Sequence, residues 1–142
     1  MHVRDNSDFR VLVVDDERTI ADTLALILNR SGFSARAAYS GDAAVLLALE
    51  WRPTALISDV VMPGMNGIDA AAQILRFLPE CEVILFSGHG TVGISQLTGL
   101  GSFEVLPKPV HPARLIERLN ALRGSNAMPR LGPDFDANGF RE

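Results

Sequence analysis

The sequence predicts an α/β fold, a doubly wound parallel sheet of five strands with helices on both faces. Apolar runs of strand length alternate five times with segments whose apolar residues fall at helical spacing, and the connections are short. The central runs are apolar without alternation, as strands buried on both faces must be. Polar residues able to do chemistry stand at the carboxyl ends of these runs, where an open parallel sheet places its ligand crevice.

The elements follow in order. Residues 1–8 are polar and read as a flexible N-terminus. Phe9 to Val14 is a strand apolar on both faces, ending in Asp15-Asp16-Glu17. From Glu17 to Arg30 the residues Ile20, Leu24, Ile27 and Leu28 mark a helix, which Ser31-Gly32 stops. Phe33 to Ala38 is a weaker, Ala-rich strand. Gly41-Asp42 opens a helix to about Glu50 with Val45, Leu46 and Leu49 as its expected buried stripe. Trp51 then caps the edge of the core, and Pro53 breaks the chain before the strand of residues 54–59. Ile68, Ala71, Ala72 and Leu75 mark a third helix closed by Pro79. Glu82 to Phe86 is a buried strand leading into Ser87-Gly88-His89-Gly90. Residues 91–100 make a poor helix because of Gly93, Gly99 and their Thr, Val and Ile content. Phe103 to Leu106 is the last strand, stopped by Pro107-Lys108-Pro109. Pro112 suits the first turn of a final helix whose stripe is Leu115, Ile116, Leu119 and Leu122. Each parallel crossover is right-handed and lays its helix back on the sheet.

At 142 residues and 47% hydrophobic content, the chain suits one well-buried domain, here residues 9–123. From Gly124 the composition turns to Gly, Ser, Asn and Pro, so 124–142 reads as a disordered tail. The alternative is a peptide that docks through Phe135 and Phe140. The net charge of −4 with scattered basic residues leaves no footprint for nucleic acid. The single cysteine, Cys81, excludes an internal disulfide and fits a reducing compartment. There is no membrane-spanning apolar run and no signal-peptide core, so the expectation is a cytoplasmic protein without a membrane partner.

In a sheet built this way, Asp15 and Asp16, Asp59, Ser87 and Lys108 converge from four strand ends on the carboxyl edge. An ionised Asp is costly to bury unless it is paired or metal-bound. Three carboxylates in one crevice repel each other, and a hard divalent cation relieves them. Mg2+ suits because it needs few carboxylates and keeps positions open for water and phosphate oxygens. Taken alone, Asp15-Asp16 would also serve as a helix cap and Asp59 as a turn residue. That reading leaves carboxylates on two different strand ends without a common cause. Lys108 is the only lysine among 13 basic residues. Its mobile ammonium can follow a phosphoryl group in a way a planar guanidinium cannot.

VLVVDDE (residues 11–17), SDVVMPGMNG (58–67), ILFSG (84–88) and LPKP (106–109), in this order and spacing, resemble the receiver domain of bacterial two-component response regulators. The resemblance covers roughly residues 9–123. It implies a flavodoxin-like fold with strand order 2-1-3-4-5. It also implies that Asp59 is the phosphoacceptor and that Asp15, Asp16, Asp59 and the backbone carbonyl of Val61 hold Mg2+. Ser87 would contact the phosphoryl group, Lys108 would pair with it, and the Lys108–Pro109 bond would be cis. The implied partners are a sensor histidine kinase or phosphotransfer protein and an unknown downstream protein. The chain would catalyse only its own phosphorylation and dephosphorylation. The chemistry agrees, with Asp59 as a carboxylate nucleophile and catalysis by positioning and electrostatics.

The chain departs from that pattern at two positions. Val105 stands where such domains carry a Tyr or Phe switch, and His89 lies two residues after Ser87, either as an exposed loop residue or as a gate for attacking water. Two other function classes compete. An aspartate-nucleophile phosphatase would carry D-x-D at the first strand, and here the acids are adjacent. A flavodoxin-like ligand-binding domain for flavin or nucleotide would need a glycine-rich loop that does not follow the first strand.

Overall fold

In the computed structural model, which describes residues 9–88 and 93–127, the alternating pattern becomes one parallel sheet. Its strands are β1 (Arg10–Val14), β2 (Ser34–Ala38), β3 (Ala55–Asp59), β4 (Glu82–Ser87) and β5 (Phe103–Pro107). They lie in the order β2-β1-β3-β4-β5, all parallel, as expected from the resemblance. The register stacks Val13, Ile57 and Ile84 side by side across the middle of the sheet. The N-terminal residues 1–8, the part of the expected tail at 128–142 with Phe135 and Phe140, and His89 lie outside the described residues.

Alternate side chains of each strand feed two cores. Leu12, Val14, Leu56 and Leu85 face α2 (Gly41–Trp51) and α3 (Gly67–Phe77), meeting Ala44, Ala48, Ile68, Ala71 and Leu75. Val11, Val13, Ile57, Ile84 and Phe86 face α1 (Arg18–Arg30) and α4 (Pro112–Ala127), meeting Leu24, Leu28, Leu115 and Leu119. No helix among the described residues is long and apolar enough to cross a membrane.

Two helices depart in part from the expected buried stripe, although Leu24, Ile27 and Leu28 on α1 and Val45 on α2 are buried or half-buried as expected. On α2, Leu46 and Leu49 are 68% and 51% exposed, and the buried face is Gly41, Ala44 and Ala48. The cause is close approach: a Cβ on Gly41 would stand 2.7 Å from the carbonyl oxygen of Met65, so only small residues fit there. On α1, Ile20 is 46% exposed, and Ala21, Leu24, Ala25 and Leu28 line the sheet. The stripes of α3 and α4 are as expected: Ile68, Ala71, Ala72, Leu75, Leu115 and Leu119 are buried, with Ile116 and Leu122 partly so. Trp51 packs at the edge of the first core beneath the Arg36 guanidinium. The last helix runs through Gly124 to Ala127, and Arg118 ties it to β5 by donating from Nε and Nη2 to Glu104 Oε1.

Among the described residues between β4 and β5, the weak helix is reduced to a 3-10 turn, Ile94–Leu97, bracketed by Gly93 at φ 91° and Gly99 at φ 84°. Leu97 is fully buried and pins the turn to the first core. The first two residues of the expected helix, Thr91 and Val92, lie outside the described residues.

Candidate functional site

The site forms where the ladders run out. β1 ends at Val14, and the N–H of Asp15 donates sideways to Ala38 O on β2. Asp15 Oδ1 accepts from the N–H of Glu17 at 3.0 Å, which fixes its carboxylate at the mouth of α1. Asp59 closes β3 one strand away. Carboxylate oxygens of Asp15, Asp16 and Asp59 lie within 4.8 Å of one another; Asp15 and Asp59 are buried and Asp16 is exposed.

The opposite wall comes from β4 and β5. Ser87, buried, ends β4 in register with Pro107, and the N–H of Lys108 donates to Ser87 O at 3.0 Å. Lys108 then reaches back across the crevice, and its Nζ lies 2.9 Å from Asp59 Oδ2. The Lys108–Pro109 peptide is cis. All five side chains singled out in the sequence thus stand at one edge. Val61 lies in the loop two residues beyond Asp59, its side chain 71% exposed.

The loop after β3 is tightly returned. Val60 donates from its N–H to Phe86 O, and Gly67 donates to Val60 O at 2.8 Å. Gly67 must be glycine, since a Cβ there would sit 2.1 Å from Asp59 O. Asn66 then caps α3 by accepting from the N–H of Asp69. Sequence reasoning missed this closure at Gly67. It also missed the hydroxyl of fully buried Ser58, which donates to Asp59 O at 2.9 Å.

The electrostatics show what the acids lack. Burial raises the Asp15 carboxyl above its ordinary value. The Glu17 N–H opposes this, the charges of Asp59 and Asp16 add to it, and Lys108 offsets part. One ammonium against three carboxylates leaves the crevice negative. A donor set of hard oxygens in that state fits Mg2+.

A family model described as the response regulator receiver domain matches residues 11–120. The chain belongs to that family. Receiver domains are phosphoacceptor signalling modules of two-component systems. The response regulator MprA of a Mycobacterium species is 32% identical over 133 residues, covering 92% of this chain and 57% of that protein. MprA of Mycobacterium tuberculosis is 31% identical over 115 residues, covering 80% of this chain and 50% of that protein. The chain therefore spans about half the length of these curated relatives. Among solved structures, the receiver domain of a Francisella response regulator superposes with a TM-score of 0.70 at 29% identity, covering 82% of this chain and 98% of that one. CheY in a Borrelia burgdorferi CheX–CheY complex with BeF3 and Mg2+ gives 0.70 at 26% identity, covering 81% and 89%. In this receiver domain Val105, on β5, is partly buried against the first core.

Proposed function

We infer that this receiver domain is a phosphorylation switch in which Asp59 takes a phosphoryl group from a sensor histidine kinase or phosphotransfer protein. The observation that carries the reading is the Asp59 carboxylate. It ends the central strand, pairs with Lys108 at 2.9 Å and crowds against Asp15 and Asp16. A carboxylate oxygen of Asp59 attacks phosphorus in line, the bond from phosphorus to the donor breaks, and the donor leaves with its electron pair. Lys108 moves from the carboxylate to the new phosphoryl oxygens, and Ser87 donates its hydroxyl to them. Asp15, Asp16, Asp59 and the Val61 carbonyl would hold Mg2+. When bound, that ion supplies the positive charge that neutralises phosphoryl oxygens. The new dianion draws in Ser87 and Lys108, which shifts the strand ends that carry them and changes contacts with a downstream protein. The BeF3 and Mg2+ in the Borrelia complex support the same pair of ligands for this site.

Intact-mass measurement after incubation with acetyl phosphate and Mg2+ tests this reading. One added phosphate is expected, absent in Asp59→Asn and absent with chelator. Phosphate retained in either control would sink the assignment.

A further inference from the structure

Asp15, Ser58, Asp59 and Ser87 are the buried polar side chains among the described residues. Three of them belong to the crevice already described. Ser58 does not: it lies on β3 one residue before Asp59, with no exposed surface, in register with Val14 and Leu85. Its Oγ donates to the carbonyl oxygen of Asp59 at 2.9 Å. We propose that Ser58 is a positioning residue for the phosphoacceptor, its hydroxyl seating the Asp59–Val60 peptide from which both the carboxylate and the metal-facing loop hang.

The geometry makes that hydroxyl hard to replace. β1 has already ended at Val14, and the N–H of Asp15 points to β2, so the sheet stops on the β1 side at this level. Gly67 closes over the same oxygen so tightly that a Cβ there would lie 2.1 Å from Asp59 O and 2.9 Å from Ser58 Oγ. A buried carbonyl that loses its donor keeps the full desolvation cost, so the peptide must rotate to find relief. The rotation is constrained by the flanking bonds, Val60 N–H to Phe86 O and Gly67 N–H to Val60 O. Any movement therefore passes to the Asp59 side chain and to Val61 two residues on. A small misplacement of a reacting group is expensive in rate.

This inference rests on the phosphoacceptor reading, and the experiment separates the two. Initial phosphorylation rates with acetyl phosphate and Mg2+ are compared for wild type, Ser58→Ala, Ser58→Thr and a core control, Ile84→Val, each also followed by thermal melting. Ser58→Ala is expected to react about tenfold more slowly. Ser58→Thr, which keeps the hydroxyl, should recover the rate, and Ile84→Val should keep it. Wild-type speed in Ser58→Ala, or equal slowing in Ile84→Val, overturns the proposal. If Ser58→Thr melts well below the control, the Ala-against-Ile84 comparison decides alone. If wild type takes no phosphate, the reading of Asp59 fails instead. Calorimetric titration with Mg2+ alone then tests the seat, with weaker binding expected in Ser58→Ala and equal binding refuting it.

Discussion

Two crossovers on the α2–α3 face, from β3 to β4 and from β4 to β5, make opposite use of the chain. From β3 to β4 the chain forms α3, with Gly67, Ile68, Ala70, Ala71, Ala72, Ile74 and Leu75 buried and an Asn cap at its start. Among the described residues from β4 to β5 it forms a 3-10 turn in which Leu97 is the buried residue. Composition explains the contrast. Ala, Ile and Leu at helical spacing give α3 both propensity and a packing face. Gly93, Gly99 and Gly101 deny both to the second crossover. The site sits between them. Asp59 is backed by the α3 crossover through Gly67, and Ser87 ends the strand before the other. On the proposed phosphoacceptor reading, we expect the α3 crossover to be rigid and residues 94–100 to be soft.

The sharpest way to break this comparison is to place one methyl group in each crossover. Gly67→Ala drives a Cβ into Asp59 O and is expected to cost ~3 kcal/mol or more and to remove phosphorylation. Gly99→Ala meets nothing within 4 Å and carries only the strain of its φ of 84°, about 1 kcal/mol. Urea unfolding of both variants measures the pair, and equal losses would end the rigid-versus-soft distinction.

A second expectation concerns opening rates. Without phosphate, amides 94–100 should exchange hydrogen well before those of α3 and α4, because one buried leucine pins the segment. Phosphorylation should slow exchange there and leave α3 unchanged. Val105 cannot supply an aromatic swing, being small and stiff at its first torsion. Protection of 94–100 equal to that of α4, unaltered by phosphate, would remove the soft crossover from the switch.

The smallest expected effect lies on the rigid side. The folded state holds the Asp15 proton more tightly than the unfolded chain does, because burial and two neighbouring carboxylates raise it above 3.8. Its contribution to stability is therefore present below that value and is lost as pH rises through the raised folded value. Asp15→Asn should stabilise the metal-free protein at pH 7, while weakening Mg2+ dependence. Denaturation at pH 3 and pH 7 checks the sign: the gain should shrink at the lower pH.

Much of this was legible in the chain because the signals are local. Strand-length apolar runs, helical spacing around Leu24 and Leu28 or Ile68 and Leu75, and the breaks at Gly32, Pro79 and Pro107 depend on neighbours a few residues apart. So does the placing of Asp15, Asp16, Asp59, Ser87 and Lys108 at strand ends, which one parallel sheet is enough to bring together. The order of the strands came from resemblance rather than from periodicity.

What only the tertiary structure decided is which atoms touch. Val45, Leu46 and Leu49 read as the buried stripe of α2, and of these Val45 alone is partly buried against the core. The close approach of the β3–α3 loop admits only glycine-sized Gly41 there, and the buried face continues through Ala44 and Ala48. Ser58 looked like an ordinary strand residue, and Gly67 like the start of a helix. Their meeting at Asp59 O depends on the path of the returning loop. Pattern records how apolar a residue is. It does not record how close a neighbouring backbone comes, and that distance decides which side chains fit.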